Sequence, residues 1–232
     1  MDIVFEDEDV IVIHKEAGIA TQTANIREKD CVSLIKEHLC KSAKKSEDFY
    51  VGVIHRLDQP VEGLLVFAKN QKSAGILSKS VTTDMMSKRY RAVVEGRIDV
   101  NNLAEADGVT VLGENRYELR NYLCKDAANK VAIVVRGHGK ECTDKKAKEA
   151  VLEFSVIGYD STNDTSELCI DLKTGRFHQI RCQLANLGHP IAGDRKYGAK
   201  MPYQSRKIGL IATELVFVHP KSNKKMEYRL SD

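Results

Sequence analysis

The chain has no stretch approaching the roughly 20 consecutive apolar residues that a membrane-spanning helix needs, and it opens on acids and short apolar runs instead of a basic region and a long apolar segment. A membrane span and a secretory leader are not expected, which points to a soluble cytoplasmic protein. Its six cysteines, at 31, 40, 124, 142, 169 and 182, include no CxxC pair. That spacing argues against a zinc ribbon or a thioredoxin-like redox site, and reduced thiols are the expectation. No internal repeat is found. Strong charge is lacking too, since a net +3 and a pI near 8.4 fall below the range of a dedicated electrostatic nucleic-acid binder.

What is present is one core's worth of apolar residue, 42% of 232 positions, enough for a single catalytic-sized unit. Charge is unevenly placed. Residues 171–210 hold eight Lys/Arg against two acids, whereas Asp2, Glu6, Asp7, Glu8 and Asp9 precede any base. Clustered Lys/Arg late in a near-neutral chain suggests a local surface facing a polyanion.

Short β-branched runs predict strands at 3–5 and 10–13. A helix is expected from about Asp30, with Asp30 as its cap and Val32, Ile35 and Leu39 as its apolar stripe. A polar loop over 41–48 leads to a strand at 50–54. The run 64–68 reads as a central strand, and Asn70 as the cap of a helix buried through Ala74, Leu77 and Val81. Residues 88–96 alternate as a strand with Tyr90, Ala92 and Val94 on one face. The polar region 99–146 holds strand candidates at 109–112 and 131–135, and 151–159 with 168–172 reads as a hairpin. A helix over 178–187 turns Ile180, Leu184 and Leu187 inward and stops at Gly188. Strands at 209–218 and 226–230 complete an α+β fold with a mostly antiparallel mixed sheet.

The segment His55-Arg56-Leu57-Asp58-Gln59-Pro60-Val61-Glu62-Gly63 carries the most information. It sets a carboxylate at the lip of a buried strand, where a lone charge costs several kcal/mol unless cations or donors compensate. Asp58 therefore has an assigned partner or a chemical role.

HRLD, four residues, then Gly resembles the active-site motif of the RluA-type RNA pseudouridine synthases. Two more segments agree in order and rough spacing. KRYRAVVEG is similar to the family's Lys-x-Tyr-x-Ala strand and holds Tyr90; TGRFHQIRCQLANLGHPIAGDRKYG is similar to its C-terminal motif and holds Arg181. The opening FEDEDVIVIHKEAGIA resembles the first hairpin of the catalytic domain, so the likeness covers nearly the whole chain. It implies one catalytic domain over 1–232 without an N-terminal domain of the S4 type, built as a sheet of two halves flanked by helices and loops, with an active-site cleft across the sheet.

The resemblance also implies an activity: uridines in ribosomal or transfer RNA are isomerised to pseudouridine without a cofactor. The N-glycosidic bond breaks, the base turns over while held, and C5 joins C1′. Asp58 must be ionised to act, whether by attacking C1′ or by taking a proton from C2′. Arg181 is the expected ion-pair partner, because a guanidinium holds a carboxylate at two points without losing its charge. Tyr90 offers a ring to the flipped uracil and a hydroxyl for proton transfer. Arg56 is expected to enter the RNA stack, and His55, Lys88, Arg176, His178 and Gln179 to line the pocket or meet phosphate. A monomer with RNA as its partner, no membrane and no obligatory protein partner is expected.

The chain departs from the family pattern at Val61-Glu62, where Thr-Ser is common, at Phe177 and Cys182-Gln183, and at Glu16, where Pro usually follows the Lys. His178 and Cys182 lie four apart on a helix, yet no third ligand stands at a suitable spacing, so no metal is expected. The main alternative is an RNA-binding or chaperone-like protein that keeps the fold without catalysis. A carboxylate-dependent glycosidase or nuclease lacks a second acid at a recognisable position.

Overall fold

The structure is a computed structural model, and it describes residues 1–25, 27–44, 48–83, 85–135, 147–204 and 207–230. In chain order the strands and helices are β1 (Asp2–Glu6), β2 (Val10–Lys15), α1 (Cys31–Ala43), β3 (Gly52–Val53), β4 (Glu62–Ala68), α2 (Gln71–Thr82), β5 (Met86–Glu95), β6 (Val109–Gly113), β7 (Arg116–Asp126), β8 (Val131–Val135), β9 (Lys148–Asp160), β10 (Thr165–Leu172), α3 (Gln179–Asn186), β11 (Leu210–Val218) and β12 (Lys225–Arg229). They fall into two compact units, Met1–Lys88 with Ile211–Asp232, and Arg89–Leu210.

In the first unit β4 is central. It pairs antiparallel with β2, which carries β1, and parallel with β11, which carries β12; β3 closes on the far end of β4. Its run Leu64, Leu65, Val66, Phe67 and Ala68 is almost wholly excluded from solvent, as an unbroken apolar run requires when both faces are covered. At roughly 1.5–3 kcal/mol per large apolar side chain, this strand is a main source of the unit's stability. One core cluster joins Val12, Val66, Leu77, Met86 and Phe217.

Both predicted N-caps hold. Asp30 accepts from the Ser33 amide at 2.8 Å while Ser33 Oγ takes the Asp30 amide at 2.9 Å, and Asn70 accepts from the Ser73 amide at 2.9 Å. The stripe of α1 is Cys31, Ile35 and Leu39 in place of Val32, Ile35 and Leu39. A buried thiol behaves as a small apolar group, so both patterns are equally apolar by composition. Helix α1 also runs to Ala43, and Lys44 ends it in the left-handed region at φ 53°; residues 45–47 of the expected loop lie outside the described residues.

The second unit is an antiparallel meander in the spatial order β5, β10, β9, β7, β6, with β8 paired to β7. The inward face of β5 is Tyr90, Ala92 and Val94, as the alternation predicts. The structure adds an element that the sequence reading missed, the 11-residue strand β7. Tyr117, Leu119 and Leu123 turn inward there between charged residues, so a long half-buried strand reads as a polar segment. Strand β3 is shorter than the expected 50–54. Cys31, Cys40, Cys169 and Cys182 are thiols, as expected; Cys124 is disulfide-bonded instead. Cys142 lies outside the described residues. No described helix is long and apolar enough to cross a membrane.

Candidate active site

In the first unit, Asp58 sits on a short loop between β3 and β4 that is held on both flanks. On one side Leu57 is buried and clamped by Thr21: its amide donates to Thr21 Oγ1 at 3.1 Å, and that hydroxyl donates back to the Leu57 carbonyl at 2.9 Å. On the other side the Gln59 carbonyl accepts from the Gly18 amide at 2.7 Å, and Gln59 Nε2 donates to the Gly18 carbonyl at 3.0 Å. The Val61 amide closes a turn on the Asp58 carbonyl at 3.0 Å. The segment after β2 is itself tied to α1, through Cys31 N–H to the Ala20 carbonyl and Thr23 N–H to Asp30 Oδ2.

Gly63 explains why the motif needs a glycine. Its φ is +135°, and a Cβ there would lie 2.4 Å from the Ala212 carbonyl oxygen of β11. Only a residue without a side chain permits that approach.

Lys15, at the end of β2, is a fully buried cation that sequence reading did not single out. Its Nζ donates to the carbonyls of Glu16, Ile19 and Gln59 at 3.0, 2.8 and 3.3 Å. Burial pushes its pKa down to about 8, opposed by Cys31, Asp58 and Glu62.

Of the expected RNA-facing residues in this unit, Arg56 is exposed. His55 accepts from the Val66 amide through Nε2 at 3.3 Å, which places its proton on Nδ1, a buried atom with no hydrogen-bond partner. Burial, and then the nearby Lys88 charge, push its pKa down to about 3, so it is neutral at any ordinary pH. Burial lowers the pKa of Lys88 as well. Asp7, Asp9 and His219 bring ligand-type atoms within 4.8 Å of one another. Each is already engaged: His219 Nε2–H donates to Asp7 Oδ2 at 2.8 Å, its Nδ1 accepts from the Lys221 and Ser222 amides, and Asp9 Oδ1 accepts from Asn70 and Ser73. These bonds make the group a tie between the two ends of the unit.

In the second unit, Tyr90 is buried on β5 opposite Ile170 of β10. Arg181 lies on α3, which starts at Gln179 and not at the predicted 178 because His178 adopts φ 52° and serves as its N-cap. The helix is buried on nearly every side, so the single inward stripe predicted for it, including the half-buried Leu187, is too narrow. Arg181 holds Asp194 at two points, Nε to Oδ2 at 2.6 Å and Nη2 to Oδ1 at 2.8 Å, with both side chains buried. Its guanidinium also lies 5.1 Å over the Tyr197 ring. The Tyr197 hydroxyl accepts from the Ala132 amide of β8 at 2.7 Å and meets His178 Nδ1 at 2.9 Å. Asp194 and Tyr197 stand in the quoted GDRKYG segment, and a buried acid 13 residues from an arginine was the available clue.

Gln179 is buried, with both ends of its amide used: Oε1 accepts from Thr174 Oγ1 and the Arg176 amide, and Nε2 donates to the Val151 carbonyl. Arg176 is exposed and donates to the Glu149 carbonyl at 2.8 Å. Phe177 is half exposed, stacks on His178 at 3.8 Å, and carries Lys125 Nζ at 4.9 Å from its ring centre. The structure thus gathers Asp58, His55, Arg56 and Lys88 in one unit and Tyr90, Arg176, His178, Gln179 and Arg181 in the other.

A model of the RNA pseudouridylate synthase family matches residues 9–186. The chain belongs to that family, as the three motifs implied. It is 30% identical over 95% of its length to an RNA pseudouridine synthase of Bacillus subtilis (strain 168), YhcT, and spans 65% of that protein. It is 27% identical over its full length to the tRNA pseudouridine synthase C of Vibrio parahaemolyticus, covering 90% of that protein. The structure of human RNA pseudouridylate synthase domain containing 1 superposes on all of this chain with a TM-score of 0.70 at 21% identity, covering 83% of the human chain. That likeness shows the fold.

Proposed function

We propose that this protein is an RNA pseudouridine synthase that isomerises specific uridines of ribosomal or transfer RNA, in the cytoplasm and without a cofactor, the whole chain acting as one catalytic domain. The observation that carries the reading is the support around Asp58. Thr21, Gly18 and Lys15 spend their polar groups on the backbone either side of one carboxylate, an investment that packing alone does not call for. Family membership supplies the reaction this carboxylate serves.

In this reading Asp58 is the catalytic carboxylate, Tyr90 carries the flipped uracil, and Arg181 is the cation that the third motif supplies. Asp194 and Tyr197 are the groups that fix Arg181, since a guanidinium held at two points and over a ring has little freedom left. Arg56, Lys88, Arg176 and His178 face RNA. His55 and Gln179, bonded to the backbone beside β4 and β9, hold their motifs in shape. The balance is closed: N1–C1′ breaks, C5–C1′ forms, the C5 proton leaves, and N1 gains one.

The test is tritium release from RNA labelled at uridine C5. Wild-type protein is expected to release tritium, and Asp58→Asn to release none while keeping its circular dichroism spectrum and most of its RNA affinity. Full activity in Asp58→Asn would overturn the assignment. RNA binding with no tritium release by the wild type on total cellular RNA would favour a binding protein instead.

A further inference from the structure

We infer that the Lys15 ammonium is a positioning residue for Asp58, and that its ionisation sets the alkaline limit of the reaction. The inference rests on the reading of Asp58 as the catalytic carboxylate. The geometry comes from the end of β2. Lys15 has no solvent exposure, and its Nζ meets three backbone carbonyls, two from the adjoining turn (Glu16 and Ile19) and one, Gln59, from the residue that follows Asp58. An ammonium has three N–H donors and no acceptor. A neutral amine has two donors and a lone pair, so it cannot satisfy all three carbonyls and would turn its lone pair toward one of them. The complete bond set therefore belongs to the cation. Losing the proton weakens the tie to the loop that carries the carboxylate.

The charged and titratable groups facing Lys15 are Asp58 on the motif loop, Glu62 at the start of β4 and Cys31 at the start of α1. Burial keeps the Cys31 thiol protonated, with its pKa pushed up to about 11, and Glu62 is bonded to His14 Nε2 at 3.0 Å. The Asp58 charge in turn favours the ammonium form of Lys15. Displacement of a reacting group by about 1 Å can cost on the order of 100-fold in rate, so an ammonium bonded to the neighbouring carbonyl has the leverage this role needs. With burial bringing Lys15 to about 8, the loss falls within the range where the protein can be assayed.

The experiment measures tritium release at saturating RNA from pH 6 to 9 for wild type, Lys15→Arg and Lys15→Met. Wild-type kcat is expected to fall above about pH 8, approaching tenfold per unit as one ionisation dictates. Lys15→Arg should move that limb upward. Lys15→Met should lower kcat at pH 7 by about 10- to 100-fold, remove the limb, and leave KM for RNA within about threefold, since Lys15 touches no solvent. An unchanged limb in Lys15→Met, or none in the wild type up to pH 9, overturns the inference. Should the replacements fail to fold, lysine side-chain NMR of the wild type and of Asp58→Asn gives the same answer without activity. With the Lys88 signal identified from Lys88→Arg, because burial lowers that group too, a second lysine titrating well below the rest and shifting further down when the Asp58 charge is removed supports the coupling; no such lysine refutes it. If the wild type releases no tritium at any pH while this NMR coupling is present, the assigned reaction fails and the Lys15–Asp58 linkage stands.

Discussion

At the scale of single residues, Gly63 and Asp194 show two ways in which a site constrains composition. Gly63→Ala must place a Cβ at a left-handed φ and within 2.4 Å of a backbone oxygen. Strain of about 1–3 kcal/mol and overpacking of about 1–3 kcal/mol act together there, so the urea midpoint should fall steeply. Asp194→Ala removes the carboxylate that Arg181 holds at two points in a buried setting, a loss of about 3–5 kcal/mol when a buried pair is broken. Its kcat should fall with its denaturation midpoint, while Asp194→Glu recovers part of both. The glycine was visible in the motif, but its reason was not: the neighbouring backbone is that of Ala212, about 150 residues on, and nothing local names it. Lys15 is the same case. A lysine ending a β-branched run reads as a solvated strand end, and only the three carbonyls gathered around it show why it is buried.

At the scale of elements, the turn before β2 is fastened by charge. Glu6 receives Lys69 at 2.7 Å and His38 at 2.6 Å, which ties β1 to α1 and to the end of β4. Burial alone would raise the pKa of Glu6, but the hydrogen bonds and charges of Lys69 and His38 outweigh it and hold the carboxyl below its ordinary 4.5. A folded pKa below the unfolded one gives stability that is complete above the unfolded value and is lost as pH falls through the folded value. The urea midpoint of the wild type should therefore drop as acid protonates Glu6, and Glu6→Gln should be less stable near neutrality with a weaker dependence on pH between 3 and 5. Most elements were legible beforehand because their signals are local. The caps Asp30 and Asn70, the apolar run of β4 and the alternation of β5 each declare themselves within a few residues. Strand β7 did not, since its inward residues are separated by Glu118, Arg120 and Tyr122 and include the polar Asn121, and its partners β6, β8 and β9 provide the pairing that makes it a strand.

At the scale of the whole molecule, the first unit is assembled from segments at opposite ends of the chain, and β11 returns to lie parallel beside β4. His219 fastens that return, donating to Asp7 across 212 residues of sequence while accepting two amides of its own turn. His219→Ala would leave two part-buried amides and a carboxylate oxygen short of partners, at the lower end of about 1–3 kcal/mol. Contacts of such long sequence separation are costly to close, so the loss should appear as faster unfolding with little change in folding rate, read from the two arms of a chevron plot. By itself the sequence determined the α+β class, the family, the two helix caps and the identity of the motif residues, because periodicity, capping chemistry and short motifs are properties of neighbours along the chain. The tertiary structure alone decided that Lys15 is buried against the Asp58 loop, that Thr21 clamps Leu57, and that Arg181 rests on Asp194 and Tyr197. Those facts depend on which distant backbone a side chain meets, and hydrogen-bond partners brought together by folding leave no period or spacing in the sequence.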